Sequence, residues 1–336
     1  MNINKQKLAE YIDSLKNIKV LVVGDLAIDE MIYGDTERIS REAPVLILQH
    51  TKTNILLGAA ANAANNASTI NGGKVGVIGV TGDDYQAGQL RTALEKANID
   101  CSGLVAENGR KTVTKTRISG SCSQSVTQQI VRIDRQTKAL INQDTEKNVI
   151  HNLEKLIPKY DAIILSDYHI GVLTQNIIDK ATELANKHNK VIVVDAQKDL
   201  DKYNNVTSMT PNLPDTQKFT GIELTSQDKI IEAGKNIIAK TNCKSILITC
   251  GADGMISVNG NGDYDIIPAF NRSRVFDVTG AGDTVTALYS MGLATGAEPV
   301  YAAVIGNLAA SIVVKQFGCA TTSIAELLQT LNKIEL

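Results

Sequence analysis

The sequence predicts an α/β fold in which a mostly parallel central sheet lies between two layers of helices. Short runs of apolar, largely β-branched residues alternate with segments of helical periodicity along most of the chain. Most of these runs are continuously apolar, which is typical of strands buried on both faces of a parallel sheet. Two longer segments instead alternate apolar residues with polar ones, which indicates strands with one exposed face.

The predicted strands of the central sheet are short, and a helical pattern follows most of them. The strands lie at 19–24, 74–80, 161–166, 190–195, 206–209 and 245–249. Several helices begin at a residue suited to a helix start, such as Thr174 as a cap or Pro299 in the first turn. The predicted helices span 84–98, 144–157, 174–188, 227–241, 280–295 and 299–316. This alternation predicts a three-layer α/β/α sandwich.

Two segments, 31–57 and 110–133, interrupt the alternation of strands and helices. Their patterns predict antiparallel strands, and we expect both to form one small β-lid on a single domain that spans 1–336. Apolar residues of the lid, including Val45, Ile47 and Val113, would then need cover from a substrate or from a second copy of the chain. A homodimer through the β-lid would supply this cover.

Composition excludes several classes of protein. The 336 residues are 43% hydrophobic, so the chain has enough apolar material for a large core. A formal charge of −2 argues against a broad nucleic-acid surface, which needs clustered basic residues. No apolar run is long enough to span a membrane. Five scattered cysteines without CxxC spacing favour reduced thiols in a cytoplasmic protein over a disulfide framework.

The segment 276–284, Phe-Asp-Val-Thr-Gly-Ala-Gly-Asp-Thr, gives the strongest chemical signal. Gly280 and Gly282 let several backbone amides turn in one direction, and the helical pattern behind them would place those amides at a helix N-terminus, which favours anions. Asp283 could simply be an acid that stabilises the first helical turn. Its position behind the glycine turn also suits a carboxylate that accepts the proton of a hydroxyl attacking a phosphoryl group.

This segment resembles the Asp-Thr-Gly-Ala-Gly-Asp signature of the PfkB, or ribokinase-like, carbohydrate kinases. No GxxxxGK[ST] motif is present, so a P-loop enzyme is not indicated. The resemblance implies a ribokinase-like fold and a sugar kinase that uses ATP and Mg²⁺, with a possible requirement for K⁺. It also implies a general base at Asp283 and an anion hole formed by Gly280, Ala281 and Gly282.

The resemblance continues along the chain in the order that the family shows. It implies sugar contacts for Asp29, Gly58 and Asn62. It implies nucleotide contacts for residues of the later segments, namely Lys198, Asn212, Thr249, Gly251, Gly254 and Asn307. Asp215 stands where the family has the glutamate of an Asn-x-x-Glu motif, which implies a Mg²⁺ ligand. Asp277 and Thr279 are the implied monovalent-cation site.

The segment Tyr33-Gly-Asp-Thr-Glu-Arg-Ile-Ser, with Lys115, Arg117 and Arg132, also resembles the heptose-7-phosphate kinases. That narrower resemblance implies transfer of the γ-phosphoryl group of ATP to the anomeric hydroxyl of a heptose 7-phosphate, with these basic residues contacting the substrate phosphate. His169-Ile replaces an Ala-Lys pair of those kinases, which removes one cation. A kinase of another sugar, such as ribose or fructose, therefore stays open.

The same residues also have purely structural interpretations. Asp29 could be a turn residue, and Asn62 or Asn212 could only cap a helix. The three basic residues could lie on solvated strand faces. A non-catalytic relative that binds a sugar or nucleotide is a second candidate function, although such a protein would have no chemical reason to keep Asp283. An NAD-linked oxidoreductase is disfavoured because residues 24–29 lack a GxGxxG turn.

Overall fold

The computed structural model describes residues 3–122, 125–270, 276–316 and 318–334, so residues 123 and 124 of the predicted lid lie outside the described residues. Within the described part the chain forms thirteen strands and ten α-helices. The strands are β1 (Val20–Gly24), β2 (Leu26–Ile39), β3 (Leu46–Ala59), β4 (Val75–Thr81), β5 (Ile99–Ala106), β6 (Val113–Cys122), β7 (Ser125–Arg135), β8 (Ala162–Asp167), β9 (Val191–Ala196), β10 (Ser208–Met209), β11 (Ser245–Thr249), β12 (Met255–Asn259) and β13 (Tyr264–Ile267). The helices are α1 (Lys5–Ser14), α2 (Ala60–Asn71), α3 (Tyr85–Lys96), α4 (Gln143–Leu156), α5 (Gln175–Lys187), α6 (Leu213–Thr220), α7 (Gln227–Thr241), α8 (Ala281–Ala294), α9 (Pro299–Val313) and α10 (Ile324–Lys333).

The large sheet has, among the described residues, the strand order β13-β12-β11-β10-β9-β8-β1-β4-β5. The pairs from β5 to β11 are parallel, and β12 and β13 add an antiparallel edge. The predicted mostly parallel sheet is therefore confirmed. All six predicted strands occur, as β1, β4, β8, β9, β10 and β11, whereas the sequence reasoning missed β5, β12 and β13.

Two apolar cores lie on opposite faces of the large sheet. In β1, Val20 and Val22 pack on one side with residues of α1, α2, α8, α9 and α10, while Leu21 and Val23 pack on the other side with residues of α4, α5 and α7. All four side chains are fully buried. Successive strand residues point to opposite faces, so continuous apolar runs are what two helical layers require. The three-layer sandwich is thus confirmed.

The second sheet, here called the small sheet, has the order β3-β2-β6-β7 and contains both segments that were predicted as a lid. The outer pairs β2–β3 and β6–β7 are antiparallel, as predicted, but the central pair β2–β6 is parallel. The expectation of antiparallel strands throughout is therefore wrong at this pair. Both hairpins start from the same end of the large sheet, so their first strands run in the same direction.

Exposure of the small sheet differs from the prediction at one position. Val45 is 56% exposed and Ile47 is half-buried, but Val113 is only 6% exposed. Val113 packs against Ala27 and Ala59 within this chain, where the small sheet joins the large one. It therefore needs no cover from a second subunit, and the expectation for this residue was wrong.

The carboxyl end of β1 fixes how the two sheets meet. Gly24 has φ +150°, and a Cβ there would lie 2.0 Å from the Ser166 carbonyl oxygen, so a side chain does not fit. The next residue, Asp25, is buried and accepts hydrogen bonds from the backbone amides of Tyr168, at 2.9 Å, and Ile170, at 3.0 Å. This carboxylate ties the loop after β8 to the start of β2.

None of the helices in the described ranges is long and apolar enough to cross a lipid bilayer.

Candidate active site

The glycine turn predicted to bind an anion lies at the N-terminus of α8. Gly280 has φ +77°, and a Cβ there would lie 2.4 Å from the Asn62 amide nitrogen. The Ala281 amide donates to Val278 O at 3.2 Å, whereas among the described residues the amides of Gly282 and Asp283 have no backbone acceptor, as expected in a first helical turn. A Cβ at Gly282 would meet nothing within 4 Å, so space is open in front of the turn.

Asp283, in the first turn of α8, is buried beside this open space. Its Oδ2 accepts a hydrogen bond from Asn62 Nδ2 at 2.8 Å, and its Oδ1 accepts one from the Tyr168 hydroxyl at 2.8 Å. Burial raises the pKa of Asp283 to about 6, while these two hydrogen bonds and the charge of Lys115 act to lower it. The carboxylate is therefore mostly ionised at neutral pH, as a general base must be.

Asn62 is fixed by a buried network at the start of α2. Its Oδ1 accepts from Asn66 Nδ2 at 3.3 Å, and Asn66 Oδ1 accepts from the Thr284 hydroxyl at 2.9 Å. This directs the Asn62 amide group toward Asp283 and, at 3.5 Å, toward Gly280 O. One N–H of Asn62 is thus bound to the Asp283 carboxylate, and the predicted sugar contact of Asn62 stays a prediction.

Tyr168, at the carboxyl end of β8, is a site residue that the sequence reasoning missed. Its amide is held by Asp25 and its hydroxyl by Asp283, and burial together with the Asp283 charge raises the pKa of Tyr168 well above its usual value. Lys115 Nζ lies 5.2 Å from the centre of its ring. Its place directly after a buried strand that ends in Asp167 was a signal in the sequence.

Asp29, on β2, is 5% exposed and lies at the same end of the sheet as Asp283, as the strand pattern predicted. Arg117 contacts its Oδ1 at 2.8 Å, and Cys319 Sγ lies 3.9 Å from its Oδ2. Gly58 leaves room for the carboxylate, because a Cβ there would come within 3.2 Å of it. The predicted sugar residues Asp29 and Gly58 are thus together, with Arg117 beside them.

A cleft of about 560 Å³ opens over Asp29 along the small sheet. Alternate residues of β2, at 29, 31 and 33, face it, together with their neighbours on β3, β6 and β7. The loop before α8 and the loop after α9 form the opposite wall. The lining residues outside β2 are Lys52, Leu56, Arg117, Ser119, Thr127, Gln129, Phe276, Asp277, Thr279, Gly318 and Cys319.

The three basic residues that were predicted to act together lie on one face of the β6–β7 pair, where Arg117 is the direct partner of Arg132 and Lys115 is two residues away on β6. Arg117 lies in the cleft on Asp29, and Lys115 lies against Tyr168. The Nε and Nη2 atoms of Arg132 donate hydrogen bonds to the Asp134 carboxylate at 2.7 and 2.8 Å. Arg132 does not line the cleft. This pairing lowers the pKa of Asp134. A shared phosphate-binding role for these residues stays a prediction, and in this structure Arg117 and Arg132 are each paired with a carboxylate.

The predicted nucleotide residues follow β10 and β11. Asn212 caps α6, accepting a hydrogen bond from the Asp215 amide at 2.8 Å, and forms an isolated parallel bridge with Thr249. The tight turn after β11 requires glycine: Gly251 has φ +58°, and Gly254 has φ +95° with no room for a Cβ, which would lie 2.1 Å from Ile267 O. The structural interpretation of Asn212 as a cap is thus observed.

Two further predicted nucleotide residues lie apart from this turn. Asn307, buried in α9, donates to the Pro268 carbonyl oxygen at 2.8 Å. Lys198 and Asp215 line a second cleft of about 580 Å³ near the carboxyl end of β9. The predicted residues therefore surround the end of the sheet without converging on one point.

Carboxylates gather near this second cleft. Burial raises the pKa of Asp195 to about 8, and the charges of Asp283 and Asp215 add to the rise. Burial also raises the pKa of Asp215. Asp195, in β9, was not among the predicted site residues, and its closeness to Asp283 was not foreseen.

Asp277 and Thr279, the predicted monovalent-cation residues, belong to the loop before α8. Asp277 accepts hydrogen bonds from the amides of Thr279 and Gly318, each at 2.9 Å. Burial acts to raise the pKa of Asp277, but these bonds and the Arg117 charge outweigh it, so the pKa is lowered. An ionised Asp277 thus joins the loop before α8 to the loop after α9.

Residues 17–326 match the family model of pfkB family carbohydrate kinases. The chain belongs to that family. This carbohydrate kinase is 40% identical over 313 residues to the "Bifunctional protein HldE" of Aliarcobacter butzleri, a match that covers 93% of this chain and 64% of that protein. The chain thus matches slightly less than two thirds of the length of this relative.

Solved structures show the same fold as this pfkB-family chain. Phosphofructokinase-2 from Escherichia coli in complex with potassium superposes with a TM-score of 0.73 at 16% identity, covering 94% of this chain and 99% of that one. Ribokinase from Arabidopsis thaliana, complexed with ribose and ATP, superposes with a TM-score of 0.69 at 16% identity, covering 94% and 98%. The fold is therefore ribokinase-like, as the sequence predicted.

Proposed function

We propose that this carbohydrate kinase transfers the γ-phosphoryl group of ATP to the anomeric hydroxyl of D-glycero-D-manno-heptose 7-phosphate. The observation that carries the proposal is the buried Asp283 carboxylate, held by two donors directly behind an open glycine turn. The similarity to HldE supports the choice of a heptose substrate. The kinase family supports the use of ATP.

Asp283 would act as the general base. An ionised carboxylate within hydrogen-bond reach of the acceptor hydroxyl takes its proton as the bond to phosphorus forms. Tyr168 and Asn62 each occupy one of its oxygens, and a carboxylate oxygen can accept more than one hydrogen bond, so a position remains for the sugar. The two donors fix the orientation of the base and favour its charged form.

The turn from Gly280 to Gly282 would supply the anion hole. The amides of Gly282 and Asp283 lie at the positive end of α8, where they can stabilise charge on the transferred phosphoryl group. Because phosphoryl transfer involves little covalent chemistry by the protein, positioning and such electrostatic stabilisation carry most of the catalysis. The open space at Gly282 is where the group would pass.

The residues around the second cleft would bind ATP and Mg²⁺. Mg²⁺ usually takes one or two carboxylates and completes its shell with water and phosphate oxygens. Asp195 and Asp215 are close enough for their charges to interact, which supports such a site. Asp215 and Asp195 fit that role, and the metal would neutralise the phosphate charge. ATP contacts would come from the predicted nucleotide residues, namely Lys198, Asn212, Thr249, Gly251, Gly254 and Asn307.

Asp277 and Thr279 would lie beside a monovalent cation. Asp277 is ionised and joins two loops next to the glycine turn. Potassium in the E. coli phosphofructokinase-2 structure supports K⁺ as the ion.

On the sugar side, Asp29 would accept hydrogen bonds from substrate hydroxyls, with Arg117 fixing its orientation. The small sheet would act as the lid over the sugar. Its exposed apolar side chains support a homodimer through this lid: Ile39, Val45, Leu46, Ile130, Val131 and Ile133 are each 44–64% exposed. We propose such a dimer in the cytoplasm.

Kinase activity on another sugar, such as ribose or fructose, is the second candidate, because the ribokinase-like fold is common to several sugar kinases. One experiment separates the candidates: incubation of the protein with ATP, Mg²⁺ and a mixture of heptose 7-phosphate, ribose and fructose 6-phosphate, followed by mass spectrometry. The proposal expects heptose 1,7-bisphosphate as the main product. If the main product were ribose phosphate or a different bisphosphate, the corresponding sugar would replace heptose 7-phosphate as the proposed substrate. No product at all would favour a non-catalytic relative.

A further inference from the structure

The cleft over Asp29 is longer than a sugar ring requires. It extends along β2 from Asp29 to Tyr33, four residues further on, and Lys52 on β3 is the direct partner of Tyr33. At about 3.3 Å per residue, this separation is about 13 Å. Asp29 and Lys52 therefore face the same cleft from its two ends.

The two ends of the cleft differ in charge. At the near end, Arg117 is paired with Asp29 at 2.8 Å, and Asp277 lies on the opposite wall. At the far end, Lys52 Nζ lies 4.8 Å from the centre of the Tyr33 ring. Among the described residues, no carboxylate lies within 4 Å of that ammonium group. The cleft thus ends in a cation whose charge is not neutralised by the protein.

The surroundings of Lys52 suit an anion. The face of Tyr33 attracts the ammonium group and limits where it can lie. Ser119 and Gln129, neighbours on β6 and β7, line the same stretch of the cleft and carry a hydroxyl and an amide that can donate hydrogen bonds. A lysine, which binds phosphate as a point charge, with neutral donors around it is a common arrangement for a phosphate monoester.

We propose that Lys52, supported by Tyr33, Ser119 and Gln129, binds the phosphate group of a phosphorylated sugar whose opposite end lies at Asp29. This inference rests on the proposed kinase function and adds the residue that selects a sugar phosphate over the free sugar. It assigns the substrate phosphate to the far end of the cleft, where neither Arg117 nor Arg132 lies. A heptose 7-phosphate has this form, since its phosphate and its anomeric hydroxyl are at opposite ends of the carbon chain.

The test compares D-glycero-D-manno-heptose 7-phosphate with the unphosphorylated heptose. Lys52→Met keeps the apolar stem and removes the charge, and Lys111→Met is the matched control, because Lys111 is exposed next to β6 but does not line the cleft. Loss of a charge-assisted hydrogen bond should raise KM for heptose 7-phosphate about 10-fold or more in Lys52→Met. In Lys52→Met, KM for the free heptose should stay at the wild-type value. In Lys111→Met, KM should stay at the wild-type value for both heptose 7-phosphate and heptose. An equal rise for both sugars, or no rise for either, would overturn the proposal.

Binding measured by calorimetry without ATP separates this inference from the kinase function. Wild-type protein should bind heptose 7-phosphate more tightly than heptose, and Lys52→Met should bind the two alike. That result would support the phosphate site even if neither sugar were phosphorylated. Equal binding of the two sugars by the wild type would refute the site and leave phosphoryl transfer to a free sugar intact.

Discussion

Replacing Tyr168 with phenylalanine should change the pH dependence of catalysis. The substitution removes the hydroxyl that donates to Asp283 Oδ1 at 2.8 Å and keeps the ring on which Lys115 lies. A hydrogen bond to a charged, buried group contributes about 1.5–3 kcal/mol, and one pKa unit corresponds to about 1.4 kcal/mol, so the pKa of Asp283 should rise by about 1–2 units.

The direction of the shift in the pH profile follows from the role of the Asp283 carboxylate. The hydrogen bond from Tyr168 favours the ionised form, so its loss favours the protonated form, which cannot accept a proton. In the wild type, kcat/KM should fall as the pH drops through about 6, the pKa of Asp283. In Tyr168→Phe the same fall should occur at a pH about 1–2 units higher, and activity lost at pH 7 should return as the pH is raised.

The assay is kcat/KM for the sugar from pH 5 to about 9 with saturating ATP, and Tyr203→Phe serves as the control. Tyr203 also donates its hydroxyl to a buried carboxylate, that of Asp167, but does not contact Asp283. The control should lower stability without moving the acidic limb of the profile. If Tyr168→Phe lowered kcat/KM equally at every pH, Tyr168 would be a packing residue and the reasoning would be wrong.

Two further predictions concern the glycine turn and the small sheet. Gly280→Ala should destabilise the protein by more than about 1 kcal/mol in denaturant unfolding, because φ is +77° and the new Cβ would meet Asn62, whereas Gly282→Ala should leave stability unchanged and lower only kcat. Equal losses of stability in Gly280→Ala and Gly282→Ala would contradict the assignment of open space to Gly282. Ile133→Glu, on an exposed apolar face of the small sheet, should convert a dimer to a monomer in sedimentation, and a wild-type monomer would refute dimerisation through that sheet.

Local patterns in the sequence were enough to predict six of the nine strands that the described residues contribute to the large sheet. Strands such as β1 and β8 are continuous apolar runs, and a run buried on both faces is recognisable without knowing its neighbours. β5 was missed because polar residues, such as Asp100 and Ser102, alternate with its buried ones at the sheet edge. The motif around Asp283 was found because its glycines and its acid are adjacent in the chain.

The partners of Asp283 were not predictable in the same way. Tyr168 is 115 residues away and Asn62 is 221 residues away, and they meet Asp283 only because β8, α2 and α8 converge at one end of the sheet. The parallel pairing of β2 with β6 likewise depends on where two hairpins leave the large sheet. Such contacts between distant segments leave no local pattern in the sequence.

The central claim is that Asp283 is the base for phosphoryl transfer. The direct measurement is product formation by Asp283→Asn with ATP, Mg²⁺ and heptose 7-phosphate, beside calorimetric binding of ATP. Asparagine keeps the shape and removes the proton acceptor, so kcat should fall by about 10²–10⁴-fold while ATP binds nearly as in the wild type. Wild-type turnover by Asp283→Asn at saturating ATP and sugar would contradict the mechanism.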